Sequence, residues 1–443
     1  MSNIYRPMIA LAAALLFARP MQAQSFNQAK MDSLFQVLEN KHKAMGSICI
    51  RHDGKEVYRR SIGYSFTDQQ KKAGAATKYR IGSISKMFTA TMILQLIEEK
   101  KLTLGTPLKN FFPQVPNAEK ITVEQLLQHH SGIHNFTDDD AYGNYMEQPK
   151  TEPEMLDIIA KGGSDFEPGS KGEYSNANYV LLGYMIAHIT RKPYATALQE
   201  RICSKAGLKS TYIGGKADAA KEESRSYQYN EEWKVMPETD MSIPGGAGAI
   251  VSTPCELDQF IEALFAGKLI KISSLELMKT IKDGYGLGMF TFPFDDKKAY
   301  GHNGGIDGFS SLLGYIPADK MTIAYCGNGQ GGYSTNDIML GALSIYYNKP
   351  YAIPTFNTLT LTAEQLDQYT GTYGSKQLPL KITIGKEGAS LTAQATGQSA
   401  FRLDAVAPDQ FKFDAAGIVL EFSPKQKEMT LKQGGGTFLF TRE

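Results

Sequence analysis

Tyr79-Arg80-Ile81-Gly82-Ser83-Ile84-Ser85-Lys86-Met87-Phe88-Thr89-Ala90 is the stretch around which the chain is organised. Its small residues make a turn, and the apolar run that follows makes a helix. Ser83 falls on the first turn, and Lys86, three residues on, shares its face. A helix start offers free backbone N–H donors and the positive end of the dipole. A serine hydroxyl placed there is suited to become an acyl-enzyme, provided that a base is near. Lys86 is either that base or the charge that holds a second base in its reactive form. Ser83-Ile84-Ser85-Lys86 is the only S-x-x-K in the sequence. Four letters also describe ordinary helix-surface residues, so the rest of the chain has to supply partners.

Upstream, a helical pattern over Gln28 to Lys43 precedes Ser47-Ile48-Cys49-Ile50 and Glu56-Val57-Tyr58. These two runs flank His52-Asp53-Gly54-Lys55, a hairpin with an Asp-Gly turn. Downstream, the opening helix continues through Met92, Ile93, Leu94, Leu96 and Ile97, apolar nearly all round and therefore central. Thr122-Val123-Glu124-Gln125 reads as a capping box for a short helix ending at His129-His130-Ser131-Gly132. Residues 150–265 carry helical patterning, notably Asn176 to Ile189 and Glu256 to Phe265. The period then changes: Tyr285 to Phe290, Ser310 to Ile316 and Met321 to Cys326 read as strands, followed by a helix from Asp337 to Tyr347.

Strand pair, helical block, strand block and helix predict an α/β (α+β) domain over 24–348, in which the terminal strand groups share one sheet and the helical block is an insertion. Residues 349–356 read as a linker. Beyond it, short alternating runs such as Leu380 to Ile384, Gln410 to Phe413, Val419 to Phe422 and Thr437 to Phe440 predict a small all-β, barrel-like (lipocalin-like) domain of about eight strands over 357–443.

The 443 residues carry a formal net charge of +1, with 42% hydrophobic and 21% charged residues. Nothing is basic enough to suggest nucleic acid. Arg6, the apolar run Met8 to Ala18 and Met21-Gln22-Ala23 resemble a secretory signal peptide over 1–23. The run is too short for a membrane span, and the mature protein is expected to be exported, periplasmic or extracellular. Four cysteines (Cys49, Cys203, Cys255 and Cys326) form neither a disulfide framework nor a zinc pattern. Buried free thiols are expected, with Cys49 and Cys326, both in strand-like runs, as the pair that an oxidising compartment could bridge. The adjacent His129 and His130 do not read as a metal site, because helix neighbours point apart and no third ligand is suitably placed. No cofactor is expected.

Two segments complete the opening motif. Glu167-Pro168-Gly169-Ser170-Lys171-Gly172-Glu173-Tyr174-Ser175-Asn176 is a turn delivering Tyr174 and Asn176 to a helix start. Gly301-His302-Asn303-Gly304-Gly305-Ile306 is a glycine-dense entry into a strand, where a substrate backbone could lie close. With S-x-x-K, Y-x-N and H-x-G in this order, residues 30–348 resemble the penicillin-recognising serine hydrolases, on the branch of class C β-lactamases, DD-peptidases and related esterases. Leu127 to Ile133 and Ala247-Gly248-Ala249-Ile250-Val251-Ser252-Thr253 are similar to two further segments of that family. Y-x-N also occurs at Tyr142 and Tyr346, and H-x-G at His52 and His130. Only Tyr174 follows a Pro-Gly turn into a helix, however, and only His302 opens a late strand. Glu152-Pro153-Glu154-Met155-Leu156 mimics a class A acid loop but stands before the Y-x-N segment, and reads as a helix start.

The resemblance implies that Ser83 attacks the acyl carbon, that Lys86 and Tyr174 share its proton, and that Asn176 hydrogen-bonds the substrate amide. It implies an oxyanion hole of the Ser83 and Gly305 backbone N–H groups, with His302 and Gly304 lining the substrate. His302 stands where many members carry lysine. Largely neutral near pH 7, a histidine would bind a substrate carboxylate only at lower pH, so such binding is expected to fade through about pH 6 to 7. Tyr174 is then less acidic and Lys86 takes a larger share of base work. This favours a peptidase or amidase on D-amino-acid, cell-wall-type peptides over an efficient β-lactamase. A carboxylesterase, a weak class C-like β-lactamase and a non-catalytic penicillin-binding sensor are the competing readings. The expected partner is a small peptide, ester or β-lactam substrate. An α/β-hydrolase is disfavoured because no G-x-S-x-G occurs.

Overall fold

The computed structural model describes residues 26–330, 332–356, 359, 361–434 and 436–443; the segment read as a signal peptide lies outside them. One six-stranded antiparallel sheet joins both ends of the first domain. Its order is Phe290–Phe294, Lys297–Ile306, Phe309–Ile316, Met321–Gly327, Gly46–His52 and Lys55–Ile62. The hairpin at Asp53-Gly54 forms because both residues take positive φ (48° and 75°), the geometry a two-residue turn requires.

Helices cover both faces, so these strands alternate between two cores rather than between core and water. Leu313 and Ala324 face one core, with the helices Ser85–Glu98, Asn176–Thr190 and Pro254–Phe265. Their neighbours Leu312 and Ile323 face the other, with Gln28–Asn40 and Thr335–Tyr346. The helix after Ser83 is buried at every position from Ser85 to Leu96. Phe88 on it stacks on Phe260, ring centres 3.7 Å apart. The capping box at Thr122 and Gln125 is present, and a second at Thr151 and Glu154 starts the helix that contains the acid-loop mimic.

Two expectations change. Tyr285 to Phe290 is not a strand: Gly284 and Gly288 take positive φ (88° and 73°), the chain turns, and pairing starts only at Phe290. The disulfide joins Cys49 to Cys255, not to Cys326. Cys49 lies opposite Ala324 on the neighbouring strand, two residues out of register with Cys326, whereas the Pro254–Phe265 helix lays Cys255 directly over it. Cys203 and Cys326 are buried free thiols.

The C-terminal strands, from Gly371–Gly374 to Gly436–Arg442, form a closed eight-stranded barrel, with Tyr373 paired to Arg442 across the seam. Leu391, Phe411, Leu420, Met429 and Phe440 fill it. Closure leaves no strand edge to pair with another chain. The run 349–356 has no helix or strand and packs Tyr351, Ile353 and Phe356 against the first domain. Lys43 reaches Asp414 of the barrel at 3.4 Å. No helix among the described residues is long and apolar enough to cross a membrane.

Candidate active site

Two backbones meet at the centre of the cleft. Tyr79–Arg80 pairs with Ile250–Ser252, which delivers Ile81 and Gly82 to the rim of the main sheet. Gly82 then takes φ +50° and starts the tight turn Gly82–Ile84 that carries Ser83. The turn lies against Gly304 and Gly305 so closely that side chains are excluded at Gly304 and at Gly82. A Cβ on Gly304 would stand 2.1 Å from the Ile81 carbonyl oxygen, and one on Gly82 would stand 2.8 Å from the Gly305 nitrogen. Ser311 fastens this approach by donating to the Ile81 carbonyl at 2.8 Å.

Ser83 Oγ is bracketed by two groups. Lys86 Nζ lies at 3.0 Å, and Tyr174 donates its phenolic hydrogen at 2.7 Å. Lys86 is fully buried, and its other two contacts are the Asn176 Oδ1 at 2.8 Å and the Ala247 carbonyl at 2.9 Å. Among the described residues no carboxylate is its partner, and burial pushes its pKa well below the usual lysine range. In a neutral amine, the two remaining hydrogens go to these two acceptors. The lone pair is left facing Ser83, which is the arrangement a base needs. Burial drives the Tyr174 pKa upward, partly opposed by its bond to Ser83, so Tyr174 is a protonated phenol near neutrality. Lys86 is thus the base-like member and Tyr174 the acid-like one.

Asn176 lies in the cleft wall, but its amide is already committed. Its Nδ2 hydrogens go to Asn135 Oδ1 at 3.2 Å and Thr137 Oγ1 at 3.1 Å, and its oxygen holds Lys86. The donor expected for a substrate amide is therefore engaged, and Asn176 acts here by aiming Lys86.

His302 differs more. It is buried, with the Phe290 ring tilted against it at 4.3 Å between ring centres and its Nδ1 on the Asn303 carbonyl. Burial, then the nearby Lys86, lower its pKa to about 3. It is not the cation whose hold on a substrate carboxylate was expected to fade through about pH 6 to 7. The strand alternation turns its ring inward, so Asn303, Gly304 and Gly305 line the cleft while His302 supports the aromatic floor.

His129 has a related task. Its ring stacks on Tyr174, centres 4.4 Å apart, and its Nδ1 accepts the Ser175 N–H at 3.2 Å. It fixes the peptide that presents Tyr174. His130 points elsewhere, to Asp283 Oδ2 at 2.8 Å and the Gln128 carbonyl at 2.7 Å.

Sequence reasoning missed Arg80. Buried at 4% exposure, it donates to Asp307 Oδ2, the Thr239 carbonyl and the Gly215 carbonyl, each at 2.8 Å, and to Glu238 at 3.2 Å. Asp307 also accepts from Thr239 N and Oγ1, at 3.1 and 2.6 Å. The residue three before Ser83 is thereby clamped to the residue two after Gly305. A buried arginine in an otherwise apolar approach to the motif was the available signal.

Two lobes open from Ser83. One, of about 220 Å³, lies on the Asn176 side and is lined by Phe136, Tyr142, Met146, Ile243, Pro244 and Ile306 among others. The other, of about 520 Å³, lies on the Tyr174 side with Asp283, Tyr285, Phe290 and Asn303.

An antiparallel sheet between helical layers, with a serine, a lysine and a tyrosine converging where a helix start meets a sheet edge, defines a β-lactamase/transpeptidase-like protein. Residues 31–344 match the Beta-lactamase family, and the chain belongs to it as a serine hydrolase. PbpX of Bacillus subtilis (strain 168), a protein described provisionally as penicillin-binding, is 29% identical over 70% of this chain and 74% of its own length. The D-amino acid amidase from Ochrobactrum anthropi SV3, solved with L-phenylalanine amide, is 26% identical, with a TM-score of 0.63 over 72% of this chain and 99% of that one. The octameric penicillin-binding protein homologue from Pyrococcus abyssi, at 24% identity, shares the fold over 94% of this chain and 100% of its own, with a TM-score of 0.67.

Proposed function

We propose that the protein is an exported amidase or peptidase acting on D-amino-acid amides and peptides through an acyl-enzyme on Ser83. The observation that carries this reading is Ser83 Oγ held between an uncompensated, buried Lys86 and a phenolic Tyr174. In acylation, Lys86 takes the Ser83 proton as Oγ bonds to the amide carbon. The oxyanion is received by the Ser83 and Gly305 N–H groups, donors of a kind typically worth about 3–4 kcal/mol of barrier each. Tyr174 protonates the departing amine and recovers its proton from Lys86. Water then enters where the amine left, and the same groups run in reverse to release the acid.

Likeness to the D-amino acid amidase supports the substrate class. A neutral, inward His302 supports it too, because among the described residues no lysine or arginine lines the lobe beside Tyr174 to receive a terminal carboxylate. The Cys49–Cys255 bridge fits an oxidising compartment and so supports export.

The test is intact-mass and turnover analysis with D-phenylalanine amide, L-phenylalanine amide, a simple ester and a penicillin, with Ser83→Ala as control. The reading expects D-selective amide turnover that Ser83→Ala abolishes. Faster turnover of penicillin than of any amide makes the enzyme a β-lactamase instead, and activity retained by Ser83→Ala excludes the proposed nucleophile.

A further inference from the structure

We infer that the lobe beside Tyr174 selects substrates whose leaving amine carries a positive charge, with Asp283 as the specificity-determining residue. The inference rests on the reading of Ser83 and Tyr174 given above. Tyr174 belongs to this lobe and not to the other, and the group that protonates the leaving amine marks where that amine departs. The acyl side chain then occupies the smaller lobe on the Asn176 side, where the lining carboxylate, Asp307, is engaged by Arg80 and Thr239.

The charge of the leaving-group lobe is one-sided. Among the described residues neither lobe is lined by a lysine or an arginine, and the ionisable carboxylate in this one is Asp283. Lys86 lies beneath the floor, fully buried. Lys282, next to Asp283 in sequence, is exposed and does not line the lobe, and Lys171 is paired with Glu173.

Asp283 is not a loose surface acid. Its Oδ2 is fixed at 2.8 Å by Nε2 of His130, a histidine 1% exposed, while 55% of the aspartate side chain stays open to solvent. The Gly284 turn that follows carries Tyr285 down against His129, ring centres 5.1 Å apart, and Phe290 at 5.7 Å. An oriented carboxylate beside two aromatic rings is a surface that attracts organic cations, through the charge and through the ring faces. A substrate ending in a free carboxylate at this position meets the Asp283 carboxylate, and among the described residues no lysine or arginine lines the lobe to receive it. His130, whose two ring nitrogens face the Gln128 carbonyl and Asp283 Oδ2, is buried behind that carboxylate and engaged by it. The substrate class is therefore an N-terminal D-aminoacyl amide whose amine portion bears an ammonium or guanidinium group, rather than a peptide ending directly after the scissile bond in a free amino acid.

The test compares three D-phenylalanine amides that share one acyl group: the leaving amine is 3-aminopropylamine (cation), n-propylamine (neutral) or β-alanine (carboxylate). For wild type at low salt, kcat/KM is expected to run cation, neutral, carboxylate, with the first step about two- to fivefold, the scale of a partly exposed charge pair. Added salt should compress the series, and Asp283→Asn should bring the cation-to-neutral ratio to about one. Using the ratio removes any general loss caused by freeing the loop from His130. A carboxylate substrate equal to or better than the cation, or a ratio unchanged in Asp283→Asn, overturns the subsite while leaving the acyl-enzyme reading intact. No turnover of any of the three, or turnover surviving in Ser83→Ala, overturns both.

Discussion

Gly304→Ala is the sharpest available test of how the cleft is assembled. The added Cβ would lie 2.1 Å from the Ile81 carbonyl oxygen and 2.5 Å from Ser311 Oγ. A relaxed carbon–oxygen contact is about 3.3–3.6 Å, so the strand must retreat from the Ser83 turn by at least about 1 Å. The Ser311 side chain can swing away, but the Ile81 carbonyl cannot, because Ile81 is tied to Ile250 by its own N–H at 3.0 Å. The retreat therefore falls on the spacing between Ser83 and Gly305. A misplacement of this size is worth about 10²-fold in rate, or roughly 2.7 kcal/mol of barrier at 1.36 kcal/mol per decade. Steady-state kinetics on a D-aminoacyl anilide should show the loss in kcat. Binding of a boronic acid, which mimics the tetrahedral oxyanion, should weaken in parallel. Circular dichroism and the melting temperature establish that the variant is folded. A folded Gly304→Ala enzyme within threefold of wild type would refute the idea that this backbone contact sets the oxyanion geometry.

Three other outcomes are expected. Lys86 has a folded pKa below its unfolded value, so between those values the unfolded state binds more protons and stability rises with pH. Lys86→Met should be inactive, and its stability relative to wild type should fall steadily as denaturation curves are taken from pH 7 towards pH 10; a pH-independent difference would mean that Lys86 stays charged. His302, with a pKa of about 3, is neutral across the working range, so kcat/KM for a carboxylate-bearing substrate should show no inflection near pH 6 to 7 assignable to it; an inflection removed by His302→Gln would contradict its inward placement. Cys49 and Cys255 are 206 residues apart in sequence, and a bridge closing so long a loop is worth about 2–5 kcal/mol. Cys255→Ser should lower the urea midpoint, and reductant should do the same to wild type but not to the variant.

The sequence carried most of the fold, because its signals are local. The Asp53-Gly54 turn, the capping box at Thr122, the all-apolar helix after Ser83 and the alternating runs of the barrel each depend on residues within a few positions of one another. Ser83, Lys86 and Tyr174 were legible for a different reason: each sits in a short motif whose neighbours dictate its local geometry. What escaped notice depends on packing between distant segments. That Asn176 spends its amide on Lys86, Asn135 and Thr137 follows from how three helical segments dock. The inward turn of His302 is set by strand alternation counted from a start that glycines blur. Arg80 finds Asp307 across 227 residues. Cys255 reaches Cys49 only once its helix lies over the sheet.

The shared sheet has a further consequence, for the order in which the molecule can come into being. The strand Gly46–His52 lies beside Met321–Gly327, with most of the chain between them looped out and returned. Contacts of this separation make folding slow, since a long stretch of chain must close before any of them is rewarded. The Ser83 turn emerges early in synthesis but has no opposing wall until residues 301–311 arrive. A polypeptide stopped short of them would hold the nucleophile and be inert. Activity is thus a late event in the life of each chain, withheld until the sheet is complete.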